Sequence, residues 1–300
     1  MNDLRQLRHF VAVAEHGHFA RAAAAVHLSQ PALSRSIQAL EAGLGCRLFD
    51  RGTRHVVLTA HGQLVLEHAR RLLAGSRSLQ NAVNQLGNLE AGELCLGAGP
   101  FPAARLVPRA LARLARRYPK IHVQLVIEDW RSLRRRLLGE GIELFVAESR
   151  ELLDDPLLAV EPLRPRPGLY FCRPGHPLLE VGRLSRDAIA DYPLAGPQLP
   201  DEVVDQVRKL SGREQLPDIQ CDNFMVLKDL VQHSDVLGLA TSDVVAESVA
   251  DGSLAVLPPV PDIPNRNSAY GLVSRAGHSL SPAAQALRAL VLREDEELSA

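Results

Sequence analysis

The stretch from Thr59 to about Glu90 constrains this chain most. It contains no proline, and Val65, Ala69, Leu72, Ser76, Leu79, Val83 and Leu86 follow one another at alternating steps of four and three residues. That spacing is a coiled-coil seam and predicts one long helix with a narrow apolar stripe. Such a helix can pack on its own domain or on a second chain. Its length and single narrow stripe favour the second chain, so self-association is expected. The stretch also divides the 300 residues into two parts of different texture, in keeping with more than one domain.

Before it, the pattern is helical. Leu4, Leu7, Val11 and Ala14 recur at helical spacing up to Gly17, and residues 19–27 are Ala-rich. Ser29 then opens a third helix as its N-cap, with Pro31 in the first turn and a stop at Gly45. At about 100° per residue, Leu33, Ile37, Leu40 and Leu44 form the stripe expected to be buried. Gln30, Pro31, Ser34, Arg35 and Gln38 fall on an arc away from it. Gln suits adenine edges, Arg suits guanine or phosphate, and Ser suits either base or backbone. Taken alone, the same face fits an ordinary solvated helix. Two short strand-like pieces follow, Leu48–Asp50 and His55–Leu58, joined by the turn RGTR. Three helices and a hairpin make a module of about sixty residues.

Charge points the same way. Residues 1–72 hold nine arginines against five acids, a net +4, and the whole chain carries −1, which leaves −5 for the remainder. Seven of the eleven histidines lie in the same segment. A basic module on a mildly acidic body suits a polyanion such as DNA, although an asymmetry this small also arises by chance.

After Gly92 the chain alternates strand and helix. Strands are expected at 93–98, 121–128, 143–147, 169–172, 218–221, 236–240 and 268–274, with helices at 103–117, 130–138, 202–211, 224–232, 243–250 and 282–293. Two such rounds predict two α/β subdomains with parallel sheets under helices. No GxSxG, HExxH, P-loop or GxGxxG stands in a strand-turn-helix context, so no catalytic residue is assigned and an enzyme is not expected. Cys46, Cys95, Cys172 and Cys221 show no metal-binding spacing, so no metal or other cofactor is expected. MNDLRQLRHF does not read as a secretory signal, and no apolar run approaches the ~20 residues of a membrane span. A cytoplasmic protein with reduced thiols and no membrane partner is the expectation.

Phe19, Ala22-Ala23, Leu28-Ser29-Gln30-Pro31-Ala32, Ser34-Arg35, Ile37, Leu40-Glu41, Leu44-Gly45, Leu48-Phe49, Arg51, Leu58-Thr59 and Gly62 stand in one register. This set closely resembles the DNA-binding domain of LysR-type transcriptional regulators, and the resemblance extends more weakly over the whole chain. It implies an N-terminal all-α winged helix-turn-helix, a long linker helix and an α/β effector domain of periplasmic-binding-protein-like type with two subdomains. The corresponding boundaries are 1–62, 63–91 and 92–300, with subdomain I at 92–163 and 267–300 and subdomain II at 164–266. The crossings between subdomains are expected near Pro162–Pro167 and Pro264–Ser268.

The implied function is a sequence-specific regulator tuned by a small molecule in the C-terminal cleft. Its partners would be double-stranded DNA, itself as a dimer or dimer of dimers, and RNA polymerase if it activates. Gln30, Pro31, Ser34, Arg35 and Gln38 would face the major groove, and Arg51 and Arg54 the backbone or minor groove. Effector contacts are expected from Gly99, Pro100, Phe101, Pro102, Gln198, Asn223 and Phe224, with loop packing, or for Asn223 plain helix capping, as the alternative. Two departures from the family pattern stand out. His18 replaces a small hydroxyl residue before Phe19, and GPFP (99–102) replaces a segment that often carries Ser or Thr. Glu41, acidic near the DNA face, is expected to pair with an Arg inside the module. A cysteine pair used for redox sensing in one branch of the family would have to be Cys172 and Cys221, which lack that branch's close spacing.

Overall fold

A computed structural model describes residues 3–51, 56–87, 92–211, 216–259 and 267–298. The chain divides into two compact units, Met1–Val83 with Gly139–Gly141, and Asn84–Leu138 with Ile142–Ala300. Among the described residues no helix is long and apolar enough to cross a membrane.

In the N-terminal unit, α1 (Leu4–His16), α2 (Phe19–Ala25) and α3 (Gln30–Leu44) precede an antiparallel ribbon of β1 (Phe49–Arg51) and β2 (Val56–Leu58). Helix α4 (Ala60–Gly87) follows. The helix ends are set by local chemistry. Gly17 and Gly45 close α1 and α3 in the left-handed region, at φ 64° and 69°, where a side chain would be strained. The Ser29 hydroxyl accepts the Ala32 N–H at 3.4 Å to open α3. His18 precedes α2 without a side-chain capping hydrogen bond.

Leu7, Phe10, Val13, Leu33, Ile37, Leu40, Leu48 and Phe49 form the core of this unit. The Phe49 ring sits 5.1 Å from Phe10 and 6.1 Å from Phe19. Each such side chain contributes about 1.5–3 kcal/mol by leaving water. Leu44 departs from its expected place. It is 36% exposed, because it stands on the last turn of α3, beyond the buried stripe that ends at Leu40.

Polar ties fix the ribbon. Glu41 accepts the Leu48 N–H at 2.8 Å, so its carboxylate holds β1 against α3 through the backbone. The Thr59 hydroxyl donates to the Arg47 carbonyl and accepts the Gly62 N–H. A Cβ on Gly62 would stand 2.1 Å from the Leu48 carbonyl oxygen, so only glycine lets α4 start this close. Along α4 the seam divides. Val65 packs against the core and Ala69 is buried in it, whereas Leu72, Leu79 and Val83 are 57%, 68% and 55% exposed.

The C-terminal unit begins with β3 (Gly92–Ala98), α5 (Pro100–Ala104), α6 (Leu106–Arg117), β4 (Ile121–Ile127), α7 (Trp130–Leu138), β5 (Leu144–Glu148) and β6 (Leu158–Pro162). It continues through β7 (Gly168–Cys172), α8 (Arg186–Ala190), β8 (Leu194–Gly196), α9 (Asp201–Ser211), β9 (Ile219–Gln220), α10 (Phe224–Gln232), β10 (Leu237–Thr241), α11 (Ser242–Ala250) and β11 (Ala255–Val256). It ends with β12 (Tyr270–Arg275) and α12 (Pro282–Glu297).

Two five-stranded sheets result, ordered β4-β3-β5-β12-β6 and β11-β7-β10-β8-β9. Both are mixed, where all-parallel sheets were expected. β12 runs antiparallel to β5 and β6, and β7 antiparallel to β10 and β11. The reason is the route of the chain. β7 and β12 enter from the connections between sheets, and a strand entering that way escapes the handed crossover that makes βαβ strands parallel. The single helix expected at 103–117 breaks at Arg105 (φ −140°, ψ −60°). Pro108 explains the break, since it cannot donate to the Ala104 carbonyl and its ring would clash there. The short strands β8 and β11 and helix α8 carry too few residues for a periodic signal.

The connections between the sheets lie side by side. Ser268 N–H donates to the Arg166 carbonyl and Arg166 N–H to the Ser268 hydroxyl. Arg166 is buried and pairs with Asp243 of α11 at 3.3 Å and Asp295 of α12 at 2.7 Å. Pro264, expected in the second connection, lies outside the described residues.

Candidate functional site

Two surfaces can do chemistry. The first is the outer face of α3. Leu33, Ile37 and Leu40 are fully buried, which turns the opposite arc outward. Gln30, Pro31, Arg35 and Gln38 are exposed and Ser34 is half-buried. The side chains of Gln30, Arg35 and Gln38 have no hydrogen bond or ion pair to another described residue. Amide and guanidinium donors on one rigid helix are the groups that read base edges in the major groove. Arg51 is placed on β1 by its backbone, its side chain lying outside the described residues, as does Arg54 altogether.

The second is a cavity of about 340 Å³ between the two sheets, within the range of small-molecule sites. Strand ends and first turns from both sides build it, as the geometry of α/β sheets favours. Gly99, Pro100, Phe101, Pro102 and Gln198 line it, as do Trp130, Glu148, Tyr170, Leu239 and Thr241. Asn223 and Phe224, two of the expected effector contacts, do not. The Asn223 side chain caps α10 by accepting the Met225 and Val226 N–H groups. The Phe224 ring packs against Phe171, 6.2 Å away.

Among the described residues the charged lining is mostly acidic. Asp129 accepts the Arg131 and Ser132 N–H groups and the Ser132 hydroxyl. Burial raises its carboxyl, but these hydrogen bonds outweigh that and hold it below its usual value. Burial raises Glu148 against the pull of Arg150. Burial also raises Asp222, whose oxygen accepts the Gln198 N–H, and the Asp129 charge adds to that rise. Among the described residues the one cationic side chain lining the cavity, Arg150, pairs with Glu148 and donates to the Asn267 carbonyl. The Thr241 hydroxyl is 4% exposed and faces the Tyr270 phenol without completing a hydrogen bond of ordinary geometry. Tyr270 is itself pushed well up by burial.

Sequence reasoning missed Trp130, Glu148, Thr241 and Tyr270. The first three follow, end or border parallel strands, so strand-end position was an available signal. Tyr270 opens β12 opposite Glu148, and only the sheet register reveals that. The four cysteines are free. Cys172 is fully buried and its thiol is pushed up to about 11 by burial, the condition of an inert structural thiol.

A helix-turn-helix with a polar outer helix, joined to a two-sheet unit around a cleft, defines a DNA-binding regulator with a small-molecule domain. Residues 4–63 match the model of the bacterial regulatory helix-turn-helix protein, lysR family, and residues 87–296 match that of the LysR substrate binding domain. The chain is 64% identical over 297 residues to the SDS degradation transcriptional activation protein of a Pseudomonas species (strain ATCC 19151), covering 98% of this chain and 97% of that protein. Among solved structures it resembles CbnR, a LysR family transcriptional regulator, with 21% identity, a TM-score of 0.70 and coverage of 98% and 99%. It also resembles full-length CbnR complexed with its target DNA, with 23% identity, a TM-score of 0.69 and coverage of 97% and 99%. The chain belongs to the LysR family of transcriptional regulators, DNA-binding proteins whose activity a small molecule modulates.

Proposed function

We propose that this protein activates transcription of genes for alkyl sulfate degradation, with the cleft of its C-terminal unit as the effector site. The observation that carries the proposal is the 64% identity, over nearly the full length of both chains, to a protein named for activating SDS degradation. In this reading residues 1–62 bind DNA, 63–91 link and pair the chains, and 92–300 bind the effector. Subdomain I comprises 92–163 and 267–300, and subdomain II 164–266. Gln30, Pro31, Ser34, Arg35 and Gln38 enter the major groove, while Arg51 and Arg54 meet the backbone or minor groove. Gly99, Pro100, Phe101, Pro102 and Gln198 contact the effector.

The protein acts in the cytoplasm as a dimer or dimer of dimers and engages RNA polymerase when it activates. Support for self-association comes from Leu72, Leu79 and Val83, whose exposure leaves an apolar stripe uncovered on α4. Two-fold pairing places half-sites about one helical turn, or a multiple, apart.

Footprinting on the intergenic DNA beside its own gene, paired with reporter transcription in a deletion strain, tests the proposal. Protection of a partly palindromic site and loss of dodecyl sulfate-induced transcription are expected. Induction unchanged by the deletion overturns it.

A further inference from the structure

We propose that the cleft takes an uncharged aliphatic molecule with a hydroxyl head and discriminates against alkyl anions. This rests on the reading of the cavity as the effector site.

Three features of the cavity converge. Its walls are largely apolar, with Phe101, Trp130, Leu169, Val203, Leu239 and Leu257 among them. They favour a hydrocarbon chain, which gains by leaving water. Its charges are wrong for an anion. Among the described residues, Asp129, Glu148 and Asp222 line it against one cation, Arg150, which is already engaged by Glu148 and the Asn267 carbonyl. An alkyl sulfate or carboxylate head placed there would lose its water without gaining a free counter-charge.

The helix start that could have held an anion is poor in donors. Pro100 and Pro102 have no N–H, the Gly99 N–H is bonded to the Val146 carbonyl, and the Ala103 N–H to the Gly99 carbonyl, which leaves the Phe101 N–H as the one donor of this turn. A hydroxyl head, in contrast, meets what is present. The Thr241 hydroxyl, facing the Tyr270 phenol, is buried without a hydrogen bond of ordinary geometry, and the Glu148 carboxylate beside Tyr270, which accepts N–H groups of Ser149 and Arg150, keeps a lone pair for a further donor. An alkylammonium meets less than three carboxylates suggest: the Glu148 charge is already balanced by Arg150, the Asp129 oxygens are taken by Ser132 and Arg131, and burial disfavours the charged form of Asp222.

Hydrolysis of an alkyl sulfate ester yields this chemistry: water cleaves the ester to give an alcohol and hydrogen sulfate. The regulator would then respond to a product of sulfate-ester hydrolysis, and so to degradation already under way.

The chain contains one tryptophan, Trp130, and it lines the cavity, so its emission reports occupancy in the full-length protein. 1-Decanol, decyl sulfate, decanoate and decylammonium are titrated below their micelle concentrations. Saturable change with 1-decanol is expected, with the other three at least about tenfold weaker because each carries a charge the site does not match. Glu148→Gln releases Arg150 and should narrow the gap between decanol and decyl sulfate. Thr241→Val should weaken decanol alone. If decyl sulfate, decanoate or decylammonium binds as tightly as decanol, the ligand class falls and the cavity stands. If none of the four changes Trp130 emission, the cavity as effector site falls, and this inference with it.

Discussion

In the N-terminal unit the face proposed to meet DNA is polar and turned outward on one helix, with Leu33, Ile37 and Leu40 buried behind it. In the C-terminal unit the face proposed to meet the effector is largely apolar, turned inward, and shared among strand ends from two sheets. The first kind of surface can change without touching the core. The second is continuous with the core, since Phe101 packs against the clusters of both sheets while lining the cavity. DNA contact should therefore be separable from stability by single substitutions, and effector binding should not.

The largest test of that contrast is Arg166→Ala. It leaves Asp243 and Asp295 buried without their guanidinium counter-charge from Arg166 where the two connections meet. A loss of about 3–5 kcal/mol in urea unfolding is expected, as for other broken buried ion pairs. A loss under about 1 kcal/mol, the range of exposed pairs, would break the view that cavity geometry and stability are joined. Next comes Arg35→Ala on the outer arc of α3. Operator affinity at fixed salt should fall by about 1–3 kcal/mol with an unchanged Tm. A matching fall in Tm would break the separation on the other side. The smallest effect is chemical. At pH 8 the thiolate fraction of Cys172, with its thiol near 11, is roughly a hundredfold below that of an ordinary thiol. Mass spectrometry during alkylation should show Cys221, which is only half-buried, modified while Cys172 stays intact. Equal rates would show that the second sheet opens readily.

The two regions also differed in how readable they were. Ser29, Pro31 and Gly45 bounded α3 in the sequence, and the structure bounds it at the same places. The arc of Gln30, Arg35 and Gln38 followed from helical periodicity alone. Glu41 was less legible. An ion pair inside the module was expected of it; its oxygen also accepts the backbone N–H groups of Leu48 and Phe49, partners that no charge pattern advertises. In the cavity, Gly99–Pro102 and Gln198 were found from strand-end position. Asn223 and Phe224 satisfied the same rule and still fell outside the lining, because capping and ring packing claimed them. Gly238 is similar. Its lack of a side chain makes room for the Phe171 ring, which would stand 2.1 Å from a Cβ, and nothing local in LGLA signals that.

By itself, then, the sequence determined the helix-turn-helix, the seam of α4, the two α/β rounds and the family. Each rests on residues close together in the chain, whose relations follow from helix or strand geometry whatever the rest does. Tertiary structure alone decided which seam residues stay exposed, the antiparallel entry of β7 and β12, and the gathering of three carboxylates around the cavity. Glu148 and Tyr270 show why. They lie far apart in the chain, and they meet only because β12 returns from the second sheet to pair with β5.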